Sequence, residues 1–344
     1  MQNRVAPLLF IALTSAMACL PARGGEKAGA PEVREWTIRF GHLNNPDHPI
    51  SLGVRKFAEA VRTRSNGRME VVEYASNELG TEQQQTLALR GGTQEMQAPA
   101  TSSLVGLVKE LGVIDFPFAV GTYRQGFALV DGPLGEALKR KLPEKGLIAL
   151  AFWDLGFRNA TNNRRPIARL EDFEGLKLRV IPNPVARETF KALKSYPVPL
   201  SFRDLYPALE IRAVDGQENP FNVIVSNRFY KVQKYVSATH HVYATNIILV
   251  GKPFWDRLTA DERKILQEAA LEARDYQRRV SLDAARQAVE ALQRAGMHYN
   301  EVTATERERM SEAVRPVVEK FLATYDPEIQ RLYQSEIARV QRID

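Results

Sequence analysis

From Trp36 onward the apolar positions alternate between a period of two and a period near 3.6. "WTIRF" sets Trp36, Ile38 and Phe40 on one face, which predicts a strand. Ile50, Val54, Phe57 and Val61 then recur at helical spacing, and Asn66-Gly67 supplies the stop. "MEVVEY" (69–74) predicts a second strand, and "TEQQQTLALRGG" a short helix ending at paired glycines. Residues 146–153, "GLIALAFW", form a nearly continuous apolar run, as in a strand covered on both faces. "LKLRVI" (176–181), "AVDG" (213–216) and "VYATNIILV" (242–250) read as further strands, with helices between them. Repeated strand–helix units predict an α/β protein with open, mostly parallel sheets packed by helices.

One helix bears on the overall shape. Thr259 with Glu262 three residues on makes a capping box, and the apolar pattern continues through Ile265, Leu266, Ala269, Ala273, Tyr276, Val280, Ala284, Ala288 and Leu292 until Gly296. At ~1.5 Å per residue such a helix is ~55 Å long, more than one lobe of a chain this size needs. It predicts an element that ties two lobes together. Two helices broken near Ser281 would give the same pattern.

The N-terminus changes the picture of where the chain resides. Arg4, an apolar run from Val5 to Leu13 and the small residues around Ala16-Met17-Ala18 describe a secretory signal peptide over residues 1–18. Cys19 is the single cysteine. It is a candidate acylated first residue of a lipoprotein, although Ala16 sits where such sites usually carry Leu, and simple cleavage after Ala18 fits equally well. Residues 19–34 read as a flexible leader. A folded body without a thiol excludes a disulfide framework and cysteine catalysis. The 344 residues carry a formal charge of +6, from 47 basic and 41 acidic side chains spread along the chain. That pattern lacks the concentrated basic stripe of a nucleic-acid binder and suits a collector of anions.

Candidate chemistry concentrates in three segments. In "FEGLKLRVIPNPV" the strand turns Lys177 and Arg179 to one face, and Pro182 and Pro184 end it at once. Arg179 is thereby placed near the carboxyl end of a strand, the edge where open α/β sheets bind ligands. A guanidinium there offers two parallel donors to a carboxylate, while pairing with a structural acid is the other reading. Arg158, in "LGFRNATNNRRP", is expected just past the strand ending at Trp153, and Arg164 and Arg165 in a solvated loop. Asn219 precedes Pro220 and reads as a helix N-cap, a position compatible with donating to an anion. Phe202 is a core or pocket-wall residue.

Enzyme signatures are absent: there is no G-x-S-x-G elbow, no H-E-x-x-H and no Walker-type phosphate loop. His42 and His48 flank a Pro/Asn loop, and His240-His241 would face opposite ways in a strand; neither pair has metal-ligand spacing. Asp215 and Glu218 are accounted for by the "VDG" turn and the start of the following helix.

The order and spacing of "FAEAVRTRSNGRMEV", "ELGTE", "DFPF", "VDGP", "GFRNATNNRRPI", "EGLKLRVIPNP", "LYPALEIRAVDGQENP" and "NRFYKVQKYVSATHHVY" resemble the DctP-type extracytoplasmic receptors of TRAP (tripartite ATP-independent periplasmic) transporters, over nearly all of the chain from Trp36 past Tyr299. The resemblance implies a two-lobed periplasmic binding protein fold (class II-like), with mixed sheets flanked by helices, crossing strands and the long helix spanning both lobes. Lobe I would comprise 35–155 plus 245–284, and lobe II 156–244 plus 285–344. It implies a periplasmic, non-enzymatic receptor without metal or cofactor that hands a small organic acid to a small DctQ-like and a large DctM-like membrane subunit. A receptor serving an ABC importer or a sensor kinase would share the lobes. The arginine of "LRV", Arg179, would hold the ligand carboxylate; Arg158 of "GFR" and Asn219 of "QENP" would assist, and Phe202 would wall the pocket. First-lobe contacts vary with substrate, and His42, Asn44, Glu82 and Thr101 are the candidates. Three positions depart from the pattern. Asn159 replaces a frequent His, Pro207 sits inside a helix start, and Ala100 stands where sialic-acid receptors carry a glutamate, which argues against sialic acid.

Overall fold

The computed structural model describes Gln2 and residues 33–343. The signal segment 1–18, Cys19 and most of the 19–34 leader lie outside the described residues.

The chain begins as the periodicity predicts. Strand β1 (Trp36–Gly41) buries Ile38 and Phe40, and helix α1 (Pro49–Arg64) lays Ile50, Val54, Phe57 and Val61 against the sheet. After α1, Asn66 and Gly67 adopt positive φ, and β2 (Met69–Tyr74) pairs parallel to β1. Helix α2 (Glu82–Gly91) is opened by a capping box between Thr81 and Gln84 and closed by left-handed Gly92. A two-residue β3 (Met96–Gln97) completes this edge parallel to β1. Helices α3 (Tyr123–Val130) and α4 (Pro133–Arg140) lead into β4 (Leu147–Asn162).

The other edge is built from β5 (Lys177–Val180), α5 (Pro184–Ala192), β6 (Tyr196–Pro199), α6 (Leu205–Glu210), β7 (Gly216–Pro220) and α7 (Phe221–Ser226). Pro207 is the third residue of α6, within the first turn, where its missing N–H has no intrahelical partner to lose. Strand β8 (Tyr235–Gly251) returns through the middle, and a short α8 (Lys252–Trp255) leads to α9 (Ala260–Arg294). Strand β9 (His298–Glu301) pairs with β8, and α10 (Ala304–Leu322) and α11 (Pro327–Val340) finish the chain. The order across the mixed sheet is β2-β1-β3-β8-β4-β7-β5-β6.

Strands β4 and β8 are much longer than the apolar runs that predicted them. β4 continues from Trp153 to Asn162, and β8 begins at Tyr235, seven residues ahead of Val242. The added halves carry many polar side chains yet are largely buried, because each pairs with the other and with β7 or β9. Register shifts interrupt their antiparallel ladder between Asp154 and Gly156 and between Arg158 and Ala160. Arg158 therefore lies inside a strand, not past its end. Residues 213–215 form a bend, not a strand, and β7 starts at Gly216, where that reading ended. A Cβ on Gly216 would come within 2.0 Å of the Thr161 carbonyl oxygen, so only glycine lets the two backbones close. Asn219 is correspondingly a strand residue, and the N-cap of α7 is Pro220.

Helix α9 is one unbroken helix of 35 residues, about 52 Å at ~1.5 Å per residue. The Thr259–Glu262 capping box opens it, and Gly296 follows its end with φ of 92°. Its middle is pinned to β4. Gln277 accepts from the Asp154 amide at 2.9 Å and donates to the Asp154 carbonyl at 2.7 Å, while Ser281 donates to the Asp154 carboxylate at 2.6 Å.

Burial pushes the Asp154 carboxyl up to about 6, against the Ser281 hydroxyl and the Arg278 charge. A carboxyl raised in the folded state adds stability that is complete below its unfolded value near ~4 and is lost as pH rises through about 6. Thermal stability is accordingly expected to fall as pH rises from about 4 through about 6, and Asp154→Asn to flatten that fall. Melting curves across the range check it; an unaltered slope in the variant refutes the assignment.

Candidate functional site

The segment that ends β5 fixes the centre of the site. Alternation puts Leu178 and Val180 in the core and turns Arg179 to the opposite face, where it is only 1% exposed. Its Nε donates to the Leu200 carbonyl at 2.9 Å, which orients the guanidinium. Its Nη1 is buried without a hydrogen-bond partner, and Arg179 makes no ion pair among the described residues. Burial pulls its pKa down to about 10, so the group remains a cation at neutral pH. A buried, charged donor left open is costly unless a ligand completes it.

Arg158 is arranged differently. Its Nε and Nη2 grip both carboxylate oxygens of Glu218, the Nη2 contact at 2.8 Å, and Nη2 also reaches the Glu218 carbonyl at 2.7 Å. The Asn219 side-chain oxygen accepts from the same nitrogen at 3.2 Å, and Asn219 donates to Gln217. His241 Nε2 stands 3.2 Å from Glu218, and its other ring nitrogen 2.8 Å from the Thr239 hydroxyl. Burial opposes the Glu218 charge, but Arg158 and His241 outweigh it and hold the carboxyl down at about 2. The explanation of Glu218 as a helix start is thus replaced: it is the buried counter-ion of Arg158. Arg165 is likewise not a free loop cation, since it donates to the carbonyls of Asp172 (3.0 Å) and Glu174.

Between these arginines and the β1–α2 edge runs a crevice with about 580 Å³ of free space, part of it open to solvent. Six of the eight predicted residues line it: Asn44, Glu82, Arg158, Arg179, Phe202 and Asn219. Phe202 packs its ring 6.2 Å from that of Phe229 and forms a wall. Glu82 opens α2, and its Oε1 accepts from the Ala100 amide at 2.6 Å. Burial pushes its carboxyl up to about 7, against that amide and the charges of Arg179 and Arg158. Asn44 is fully buried, and neither atom of its amide has a partner.

The crevice lining does not include the other two. His42 is buried with Nε2 3.0 Å from Glu73, and the Thr101 hydroxyl is spent on the Thr245 carbonyl and hydroxyl at 3.1 and 2.7 Å. His48 caps α1, accepting from the Ile50 amide at 3.1 Å. Asn246 was not legible as a site residue because it lies within an apolar strand pattern, yet it lines the crevice with its Oδ1 unpartnered.

Residues 40–324 match the pattern described as bacterial extracellular solute-binding protein, family 7 (DctP). The chain belongs to this family. It is 31% identical to the 2,3-diketo-L-gulonate-binding periplasmic protein of Escherichia coli, over 81% of this chain and 84% of that one. It is 32% identical to the C4-dicarboxylate-binding periplasmic protein of Rhodobacter capsulatus, over 88% of this chain and 90% of that one. Among solved structures, the sugar acid binding protein of Advenella mimigardefordensis in complex with galactonate superposes with a TM-score of 0.87 at 35% identity, covering 90% of this chain and 100% of the other. As a family 7 member the chain is a solute-binding receptor of the TRAP type with the two-lobed mixed α/β fold. No helix among the described residues is long and apolar enough to cross a membrane.

Proposed function

We propose that this receptor captures a small organic carboxylate through Arg179 and releases it, chemically unchanged, to small and large membrane subunits of a TRAP transporter. The observation that carries the reading is the buried Arg179 guanidinium with an open Nη1, in the lining of a solvent-connected crevice among polar side chains. Arg158, already neutralised by Glu218, assists from the side together with Asn219, and Phe202 closes the wall. The two lobes are taken as 35–155 plus 245–284 and 156–244 plus 285–344, closing on the ligand by a hinge. An exported location, with residues 1–18 removed, fits delivery to a membrane partner. The absence of recognisable nucleophile and metal-site motifs in the sequence accords with binding without turnover. The galactonate of the Advenella relative and the dicarboxylates for which the Rhodobacter relative is named have a terminal carboxylate in common.

A thermal-shift screen over organic acids tests the reading, because a ligand held only by the folded state raises the apparent melting temperature. A bound acid at about 100 times its Kd is expected to add roughly 2.7 kcal/mol. The corresponding alcohols or amides, lacking the anion, are expected to give no shift. Equal shifts with acid and amide would remove Arg179 from the centre of the account.

A further inference from the structure

The crevice does more than attract an anion: its unsatisfied atoms describe the rest of the ligand. Asn246 donates its Nδ2 to the Ala98 carbonyl at 2.6 Å, which fixes the amide orientation and leaves Oδ1 as the open atom. That atom can only accept. Asn44 brings a second open carbonyl oxygen and an open amide, both buried. Glu82 adds a carboxylate, an acceptor in its ionised form, anchored through the Ala100 amide. Once Arg179 is given to the carboxylate, Asn44 Oδ1, Asn246 Oδ1 and the Glu82 carboxylate remain as acceptors against the single open donor of Asn44, and they need donors from the ligand.

Charge leads the same way. Arg158 is matched by Glu218 at hydrogen-bond distance, so the pair contributes little net attraction. Arg179 is the buried cation of the lining that lacks an ionic partner. Arg203 also lines the crevice, but it is exposed at the rim, where water screens it. Glu82 faces the same space and repels a second anion whenever it is ionised. A ligand with two carboxylates would bury one of them against acceptors.

We infer that the ligand is a hydroxylated monocarboxylate: one carboxylate on Arg179, and hydroxyl groups donating to Asn44, Asn246 and Glu82. A hydroxyl both donates and accepts, so it can satisfy either end of the Asn44 amide, whereas a methylene or a second carboxylate supplies no donor. A ligand that covers such acceptors without donating to them leaves them unpaired and loses affinity. This inference rests on the proposed role of Arg179.

The test is calorimetric titration of the full receptor with acids that separate the two variables, at two chain lengths. The six-carbon set is galactonate, hexanoate, galactarate and adipate; the four-carbon set is erythronate, butyrate, tartrate and succinate. The hydroxylated monocarboxylate of at least one length is expected to bind at least 100-fold more tightly than its unsubstituted counterpart. It is expected to exceed the hydroxylated dicarboxylate at least tenfold. Asn44→Ala should reduce the preference for galactonate or erythronate over the unsubstituted acid at least tenfold, with little change for the unsubstituted acid. Adipate or succinate binding as well as the monocarboxylates, or failure of both hydroxylated monocarboxylates to bind, overturns the inference. If Arg179→Ala also abolishes binding of whichever acid is preferred, the carboxylate clamp survives that failure. Unchanged binding in Arg179→Ala would instead sink the functional reading itself.

Discussion

Replacing Arg179 by alanine is expected to weaken binding of the organic acid by about 2–5 kcal/mol, roughly 30- to 4,000-fold. The side chain is buried, oriented by the Leu200 carbonyl, and leaves Nη1 open towards the crevice. Its removal strands the ligand carboxylate in a desolvated space with no matching cation. Arg179→Lys should recover little, because a single ammonium cannot reproduce two parallel N–H donors at that site. Stability of the unliganded receptor should move the other way. Arg179 makes no ion pair among the described residues, and its desolvation outweighs the fields of Glu218, Glu82 and Asp204, so its truncation relieves a costly buried charge. A melting temperature equal to or above that of the parent, together with lost binding in calorimetry, is the expected combination. Unaltered affinity in a folded variant refutes the clamp.

Glu218→Ala should act chiefly on stability. The carboxylate is 2% exposed and bound to Arg158 through two oxygens, with His241 beside it. Its loss leaves the Arg158 guanidinium buried and unpaired, a cost of about 3–5 kcal/mol. In a chain of this length the melting temperature should drop on the order of 10 °C. Replacing both partners, Arg158→Met with Glu218→Leu, should restore much of that loss, since the pair's desolvation disappears with the pair. The pH dependence has a definite sign. The Glu218 carboxyl is held below its ordinary value, at about 2. Its contribution is therefore present above the unfolded carboxylate range and disappears as pH falls through about 2. The single variant should lose part of the parent's decline in stability between pH 5 and pH 2. A parent-like acid limb in Glu218→Ala contradicts the assignment.

What was readable in the sequence follows the apolar pattern. α1, α2 and the whole of α9 stand where periodicity and capping residues put them, because their stabilising contacts are local or repeat every turn. The strands were legible only where they were apolar. Residues 154–162 of β4 and 235–241 of β8 mix polar with apolar side chains in no clear alternation, and their burial depends on each other across more than seventy positions of chain. No short window records that pairing. The same blindness misplaced Asn219: its neighbour Pro220 both ends β7 and caps α7, while Asn219 itself is a strand residue. Arg179 was legible because strand alternation and two prolines fixed its position by local rules alone. Its freedom from an acid was not, since only the assembled fold gives Glu218 to Arg158. Asn44 and Asn246 become informative through atoms left unbonded, which residue identity cannot reveal.

The sheet order has a consequence for how the chain must assemble. β3 is not joined to β4, its neighbour in sequence, but to β8, which ends at Gly251. As the polypeptide is made, the β2-β1-β3 ribbon keeps a bare margin until nearly three-quarters of the chain exists. Such sequence-distant closure slows acquisition of the native state and leaves an edge that invites wrong neighbours. A fragment stopped before Tyr235 should therefore not yield a native first half.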